Sequence, residues 1–266
     1  MITEAVIKSK KNMIKRIVDV CMTVILLCLM AYQVTGEELH EWIGMGMTLT
    51  VFVHNILNRK WYAAIFTGKY QPIRIVMTIV NIILIASFLL TAFCGMSMSG
   101  YAVPFLYGMA PVSFVRRMHL SMSHWSFVLM GIHLGLHIKT VFAKVKVSEK
   151  ASIILQMILT LIAGCGFWLS IKNRMTDYLF FRVPFAMLDY EKAAGIVLLE
   201  NILMLIFWVF VGMQIMNLLI RNANNEKANL LFPIVLIMAA MIIGFILNFA
   251  VGAKADISAI LFSWRW

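Results

Sequence analysis

The residues of this chain best suited to chemistry are its six histidines, and four of them (His119, His124, His133 and His137) fall in one stretch, VRRMHLSMSHWSFVLMGIHLGLHIKT. The other two, His40 and His54, fall in GEELHEWIGMGMTLTVFVHNILNRKW. Imidazole serves as a metal ligand or a proton carrier. His40 and His54 are 14 residues apart, and so are His119 and His133. An α-helix turns ~100° and rises ~1.5 Å per residue, so this spacing returns to within ~40° of the starting face after a climb of ~21 Å. Each pair therefore shares one helix face at two depths. His137 lies 18 residues beyond His119, about five whole turns, and returns to the same face. His124 does not: it points ~140° away from His119 and ~180° away from His133.

A single offset of 79 residues carries His40 to His119 and His54 to His133. This is a weak internal repeat of two helix-pair units, with little identity beyond the histidines. The two histidine helices then run in the same direction, so His40 stands level with His119, and His54 with His133. Two imidazoles opposed at one depth can take both axial positions of one haem. The pattern thus accommodates two haem b groups, an outer one on His40 and His119 and an inner one on His54 and His133. Zinc suits it less, because ligands 14 residues apart on one helix cannot converge on one small ion. His133 and His137 at i and i+4 can chelate a metal, but HLGLH lacks the glutamate of HExxH, so metalloprotease chemistry is not indicated. A lone polar residue in a span ordinarily hydrogen-bonds a neighbouring helix. Four at matched spacing and equal offset weigh against that explanation.

His137 is the rival of His133 for the inner haem. The offset aligns it with Asn58, which favours His133. Binding a propionate, serving a quinone pocket and capping the cytoplasmic helix end are its other roles. His124 suits packing or support of a ligand better than ligation. Arg116 and Arg117 are candidate partners of outer propionates, and Arg59, Arg74 and Lys139 of inner ones. Interfacial snorkelling places cations at the same positions.

The elements that must position these residues are membrane helices. The chain has 266 residues, 62% of them hydrophobic, with a mean hydropathy of +0.90. Apolar runs of ~20 residues are the mark of transmembrane helices. Seven are expected, over residues 17–35, 39–58, 73–94, 117–138, 151–171, 194–220 and 230–251. The fold expected is an all-α polytopic membrane helix bundle. Residues 1–142 form a four-helix di-haem cytochrome b-like core, and 143–266 add three further helices and a tail. With the N-terminus inside and the C-terminus outside, fifteen of the 23 Lys and Arg residues fall in cytoplasmic segments, as the positive-inside rule requires. Those loop and helix-end positions also account for the net charge of +11. No basic helix face or motif points to nucleic acid.

The basic segment from Met1 to Arg16 and the apolar run that follows it, to about Val34, have no small-residue cleavage pattern, so an uncleaved first span is expected. Cys21, Cys28, Cys94 and Cys165 form no CxxC or CxxCH. Buried thiols are expected, with no covalent haem attachment. The aromatic-rich segments 95–116 and 172–192 suit the interface or partner docking. Gly44, Gly46, Gly131 and Gly135 lie off the histidine stripe and suit close helix contact. Glu200, near the outer end of its span, is a candidate proton carrier or a hydrogen-bonded acid. No GxGxxG fingerprint is present, nor a threonine-centred flavin-attachment motif.

TGEELHEWIG, VFVHNILNRKWYAAIFTGKY and FVRRMHLSMSHWSFVLMGIHLGLH together resemble the flavinylation-associated cytochrome family, formerly catalogued as a membrane domain of unknown function. The motifs HE(x)2G, HNxLNRxW and HLGLH carry the resemblance, which covers roughly residues 13–141. DYLFFRVPF further on resembles the tail of such proteins. The resemblance implies a b-type haem bundle moving electrons across a prokaryotic cytoplasmic membrane, often with extracytosolic flavoproteins. By position it implies His40, His54, His119 and His133 as ligands, with His137 matching the last histidine of HLGLH and His124 standing where an aromatic is expected.

The expected function is therefore an electron-transfer subunit rather than a stand-alone enzyme. It relays electrons between a quinol or cytoplasmic-side donor and an extracytosolic redox partner, such as a flavoprotein. The alternatives are a transporter or channel with a histidine proton or metal path, and a non-catalytic membrane anchor of a redox complex.

Overall fold

The computed structural model describes residues 2–141, 148–224 and 231–263, with side chains described over 10–138, 148, 150–224 and 232–248. Most of the described residues are helical, and none lies in a strand. Seven long helices overlap the seven expected segments: α1 (Ile2–Met30), α2 (Tyr32–Leu57), α4 (Pro72–Met96), α5 (Val112–Val141), α6 (Glu149–Lys172), α8 (Ala194–Ala223) and α9 (Leu231–Ser263). Short helices α3 (Lys60–Ile65) and α7 (Met175–Leu179) lie between them, with a 3₁₀ turn at Pro104–Leu106.

Among the described residues, three stretches are long and apolar enough to cross a membrane: Pro72–Met96, Lys150–Lys172 and Ala194–Ala223. A shorter apolar stretch covers Phe232–Asn248 of α9. The helices α2 and α5 bear the six histidines and several charges, which lower their apolarity. Large apolar side chains stand exposed along most helices, Leu49 and Phe52 on α2 and Ile246 on α9 among them. Chain breaks follow local chemistry. The first helix ends at Met30, earlier than its expected span, and Gly36 (φ 70, ψ 178) interrupts the start of α2 in a conformation open almost only to glycine. Pro72 opens α4, where its missing N–H costs nothing. Ser148 caps α6 by accepting from the Ala151 amide at 3.3 Å.

The chain forms two compact units, and residues on both sides of position 142 contribute to the second. The first comprises Met1–Gln71, Ala86–Ser123 and Val183–Asn201, and in it α1 packs along α2. Reciprocal amide bonds between Gln33 and the Asp189 backbone, at 3.0 and 3.1 Å, tether segment 183–193 within this unit. The second comprises Pro72–Ile85, His124–Arg182 and Ile202–Trp266. Ala163, Phe207, Phe210 and Ala240 form its buried centre where α6, α8 and α9 meet.

Without a strong hydrophobic drive between helices in lipid, close backbone approach is what holds them together. A Cβ on Gly135 would stand 2.1 Å from the Val209 carbonyl oxygen, and one on Gly212 2.3 Å from that of Ile132. Here α5 and α8 touch backbone to backbone. Gly131 is also in close contact, at the Trp208 side chain. Gly44 and Gly46 differ from expectation: the nearest atom to a Cβ on Gly44 is 4.0 Å away, and Gly46 has nothing within 4 Å. Cys94 is buried as expected, whereas Cys21 is exposed and all four cysteines are free thiols.

Gly135→Ala should therefore destabilise the protein by about 1–3 kcal/mol through overpacking, while Gly46→Ala should leave the melting temperature in detergent unchanged or slightly higher. Equal melting temperatures for the two variants would show that the α5–α8 contact carries no special weight.

Candidate functional site

In the first unit, His40 on α2 and His119 on α5 face each other with ring centroids 6.2 Å apart and planes inclined at 75°. This is the pairing that the 79-residue offset predicts. No hydrogen bond joins the two rings among the described residues. Two imidazoles ligating one metal from opposite sides stand about 6 Å apart centre to centre, because each metal–nitrogen bond is about 2 Å. The observed separation fits that arrangement.

The tautomer of His119 is settled by its partner. Its Nδ1 lies 2.9 Å from the Thr91 carbonyl oxygen on α4. A carbonyl oxygen only accepts, so Nδ1 donates and the lone pair of the neutral ring resides on Nε2. Ligating histidines characteristically commit their second nitrogen in this way. Gly95 makes room for the ring, since a Cβ there would stand 3.1 Å from His119 Cε1 and 3.3 Å from Nδ1. His40 is held differently. Tyr32 packs edge-on against it with centroids 5.0 Å apart, and its Nδ1 is buried without a hydrogen-bond partner among the described residues. A buried imidazole nitrogen with no partner is costly. Among the groups that would relieve that cost, a metal ion suits an imidazole well.

Glu41, the residue after His40, anchors this end of α2. Its carboxylate accepts from Ser99 Oγ at 2.7 Å and from the backbone amides of Gly100, Tyr101 and Ala102 at 3.0, 2.8 and 2.9 Å. Three successive amides converging on one carboxylate make a backbone nest. The contact ties α2 to the loop after α4, the helix that orients His119.

His54 belongs to the same unit. Its Nδ1 donates to Asp19 Oδ1 on α1 at 2.8 Å, the carboxylate–imidazole pairing that raises ligand basicity. Its Nε2 accepts from Asn58 Nδ2 at 3.3 Å, and Asn58 Oδ1 in turn accepts from Lys15 Nζ at 2.7 Å. Any metal bound at Nε2 would displace the Asn58 amide.

His133, the sequence partner of His54, belongs to the second unit. Its Nδ1 donates to Asn81 Oδ1 on α4 at 2.8 Å, which again leaves the lone pair on Nε2. The His137 ring lies 4.7 Å from that of His133, tilted by 53°, as i and i+4 positions dictate. His124 stacks flat on Tyr178 of α7, 4.3 Å between centroids and 2° between planes. It therefore packs against α7. Trp125 Nε1 donates to the Leu179 carbonyl at 3.1 Å, which docks α7 on α5.

The candidate cations are less committed. Arg116 and Arg117 are exposed near His119 in sequence, and Arg116 lies over the Phe185 ring at 5.3 Å. Arg59 is exposed at the start of α3. The side chain of Lys139 lies outside the described residues. Glu200 is paired with Lys192 at 3.0 Å, which suits a structural ion pair better than a proton carrier.

Sequence reasoning missed the oxygen partners Asp19, Asn81 and Thr91. Asp19 and Asn81 did carry a signal, as an ionisable and an amide side chain inside apolar runs. Thr91 acts through its backbone and has none. No protein-family model matches the chain, and no curated protein or solved structure matches it.

Removing the Glu41 carboxylate should release the loop it binds. Glu41→Ala is expected to raise hydrogen exchange at the Gly100, Tyr101 and Ala102 amides by about tenfold, the loss of roughly one net charged hydrogen bond. Unchanged exchange would show that the nest forms without it.

Proposed function

We propose that this chain is a seven-span di-haem b-type cytochrome of a prokaryotic cytoplasmic membrane, akin to the flavinylation-associated cytochromes. It relays electrons between a quinol or cytoplasmic-side donor and an extracytosolic redox partner such as a flavoprotein. The observation that carries the reading is the His40–His119 pair, 6.2 Å between ring centroids, with His119 Nδ1 already committed to a carbonyl. The same commitment of Nδ1 at His54 and His133 supports two sites over one.

Haem b, when bound, supplies one-electron chemistry, with a potential set by its axial ligands and their hydrogen bonds. The chain's own residues bind and orient. His40 and His119 would hold the outer group, and His54 and His133 are the residues that the 79-residue offset assigns to the inner one. Thr91, Asp19 and Asn81 fix the ring orientation and keep each proton on Nδ1. Asp19 differs in kind from the other two, being a carboxylate rather than a carbonyl or a carboxamide. Arg116, Arg117, Arg59 and Lys139 are the cations available for propionates, and His137 remains the competitor of His133.

One observation favours a proton or metal path instead. Asp19, His54, Asn58 and Lys15 form a continuous hydrogen-bonded chain. Asp19 is, however, 44% exposed, and a bis-imidazole pair has no part in such a path. The electron relay accounts for both sets of contacts.

The purified chain should show two b-type haems in oxidised and dithionite-reduced spectra. A colourless, folded protein would refute the relay. His40→Ala and His119→Ala should each leave one haem, the same one. His54→Ala and His133→Ala should each leave the other. Loss of the inner haem on His137→Ala, with its retention on His133→Ala, would reassign that ligand.

A further inference from the structure

The first unit carries a second polar feature that the relay does not use. A cavity of about 340 Å³ opens where α1, the end of α2 and α3 meet. Lys11, Asn12 and Lys15 line it from α1, Asn58 from α2, and Lys60 and Trp61 from α3. Three lysines and two side-chain amides thus converge on one hollow with no carboxylate in its wall. Lys15 is engaged with Asn58 at 2.7 Å. Lys11 and Lys60 make no ion pair among the described residues.

Gathering three ammonium groups without a counter-charge is unfavourable unless an anion completes the site. Lysine serves tetrahedral oxyanions as a point charge, and amide side chains supply hydrogen bonds alongside it. Trp61 adds an amphipathic ring of the type found at membrane–water interfaces. Basic hollows between membrane helices on the cytoplasmic side are suited to phosphate-bearing headgroups.

We propose that this cavity is a binding site for a phosphate anion, supplied by the headgroup of an acidic phospholipid. Lys11, Lys15 and Lys60 neutralise its charge, the amide of Asn12 donates to its oxygens, and Asn58 Oδ1 holds the Lys15 ammonium in place. The neighbouring Trp61 ring packs where glycerol and acyl carbons begin. None of the histidines lines the hollow.

The full chain, reconstituted in nanodiscs of phosphatidylcholine doped with fluorescent phosphatidylglycerol, provides the test. The probe should be retained at about one equivalent per chain. Lys11→Gln with Lys60→Gln should weaken its retention about tenfold or more, since each lysine near the surface contributes on the order of 1 kcal/mol. Both side chains are exposed, so the double variant should fold. The control pair, Lys10→Gln with Lys69→Gln, removes the same charge outside the cavity and should retain the probe. Competition by millimolar inorganic phosphate would support the site and identify its ligand as free phosphate; indifference to it would support the lipid source. Equal behaviour of the two double variants, or no retention by the parent chain, would overturn the proposal.

Discussion

A polar ring inside an apolar helix bundle must satisfy its N–H or lose several kcal/mol. The bond from His119 Nδ1 to the Thr91 carbonyl, at 2.9 Å, is that constraint at its simplest. It fixes the ring plane, chooses the tautomer and presents the Nε2 lone pair. Much else in the first unit serves it. Gly95 lets the imidazole lie against α4, and the Glu41 nest holds α2 so that His40 stands opposite. Apolar packing could tolerate many side-chain exchanges at similar volume. This bond tolerates few, because both its direction and its partner are specified.

The same solution recurs with different chemistry. An acceptor oxygen meets Nδ1 of His54 as a carboxylate and of His133 as a carboxamide. Each comes from a helix next to the histidine helix in sequence, α1 beside α2 and α4 beside α5. The repeat seen in the histidine spacing therefore extends to the architecture: the first helix of each pair supplies an acceptor for the second. His40 breaks the pattern, with Tyr32 at its edge and Nδ1 left unpartnered among the described residues. A ring less tightly held by hydrogen bonds is freer to adjust to a ligand.

The basic hollow beside α3 and the histidine sites use opposite strategies. Imidazoles on α2 and α5 pair with single oxygens, at His54, His119 and His133. The lysines cluster at a helix junction, where Lys11 and Lys60 are exposed. Asn58 belongs to both, accepting from Lys15 and donating to His54. Through it, a change at the hollow reaches the imidazole in two hydrogen bonds.

The helices themselves were legible in the amino-acid order. Apolar runs of the right length specified seven long helices, and the structure has helices at all seven places. Spacing separated His124 from the other histidines because angular position on a helix is a property of residue number alone. The pairing of His40 with His119 was legible too, through the equal offset. What the sequence could not decide was everything that depends on which helix lies beside which. Asp19, Asn81 and the Thr91 carbonyl became partners only through packing. Glu41 was one acid among three in its segment until a loop some 60 residues away wrapped three amides around it. Gly46 and Gly135 look alike in the chain, yet one meets open space and the other a carbonyl at 2.1 Å. Periodicity and apolarity are local quantities and survive reading along the chain. Hydrogen-bond partnership and close contact are relations between distant residues, and only the tertiary structure brings those residues together.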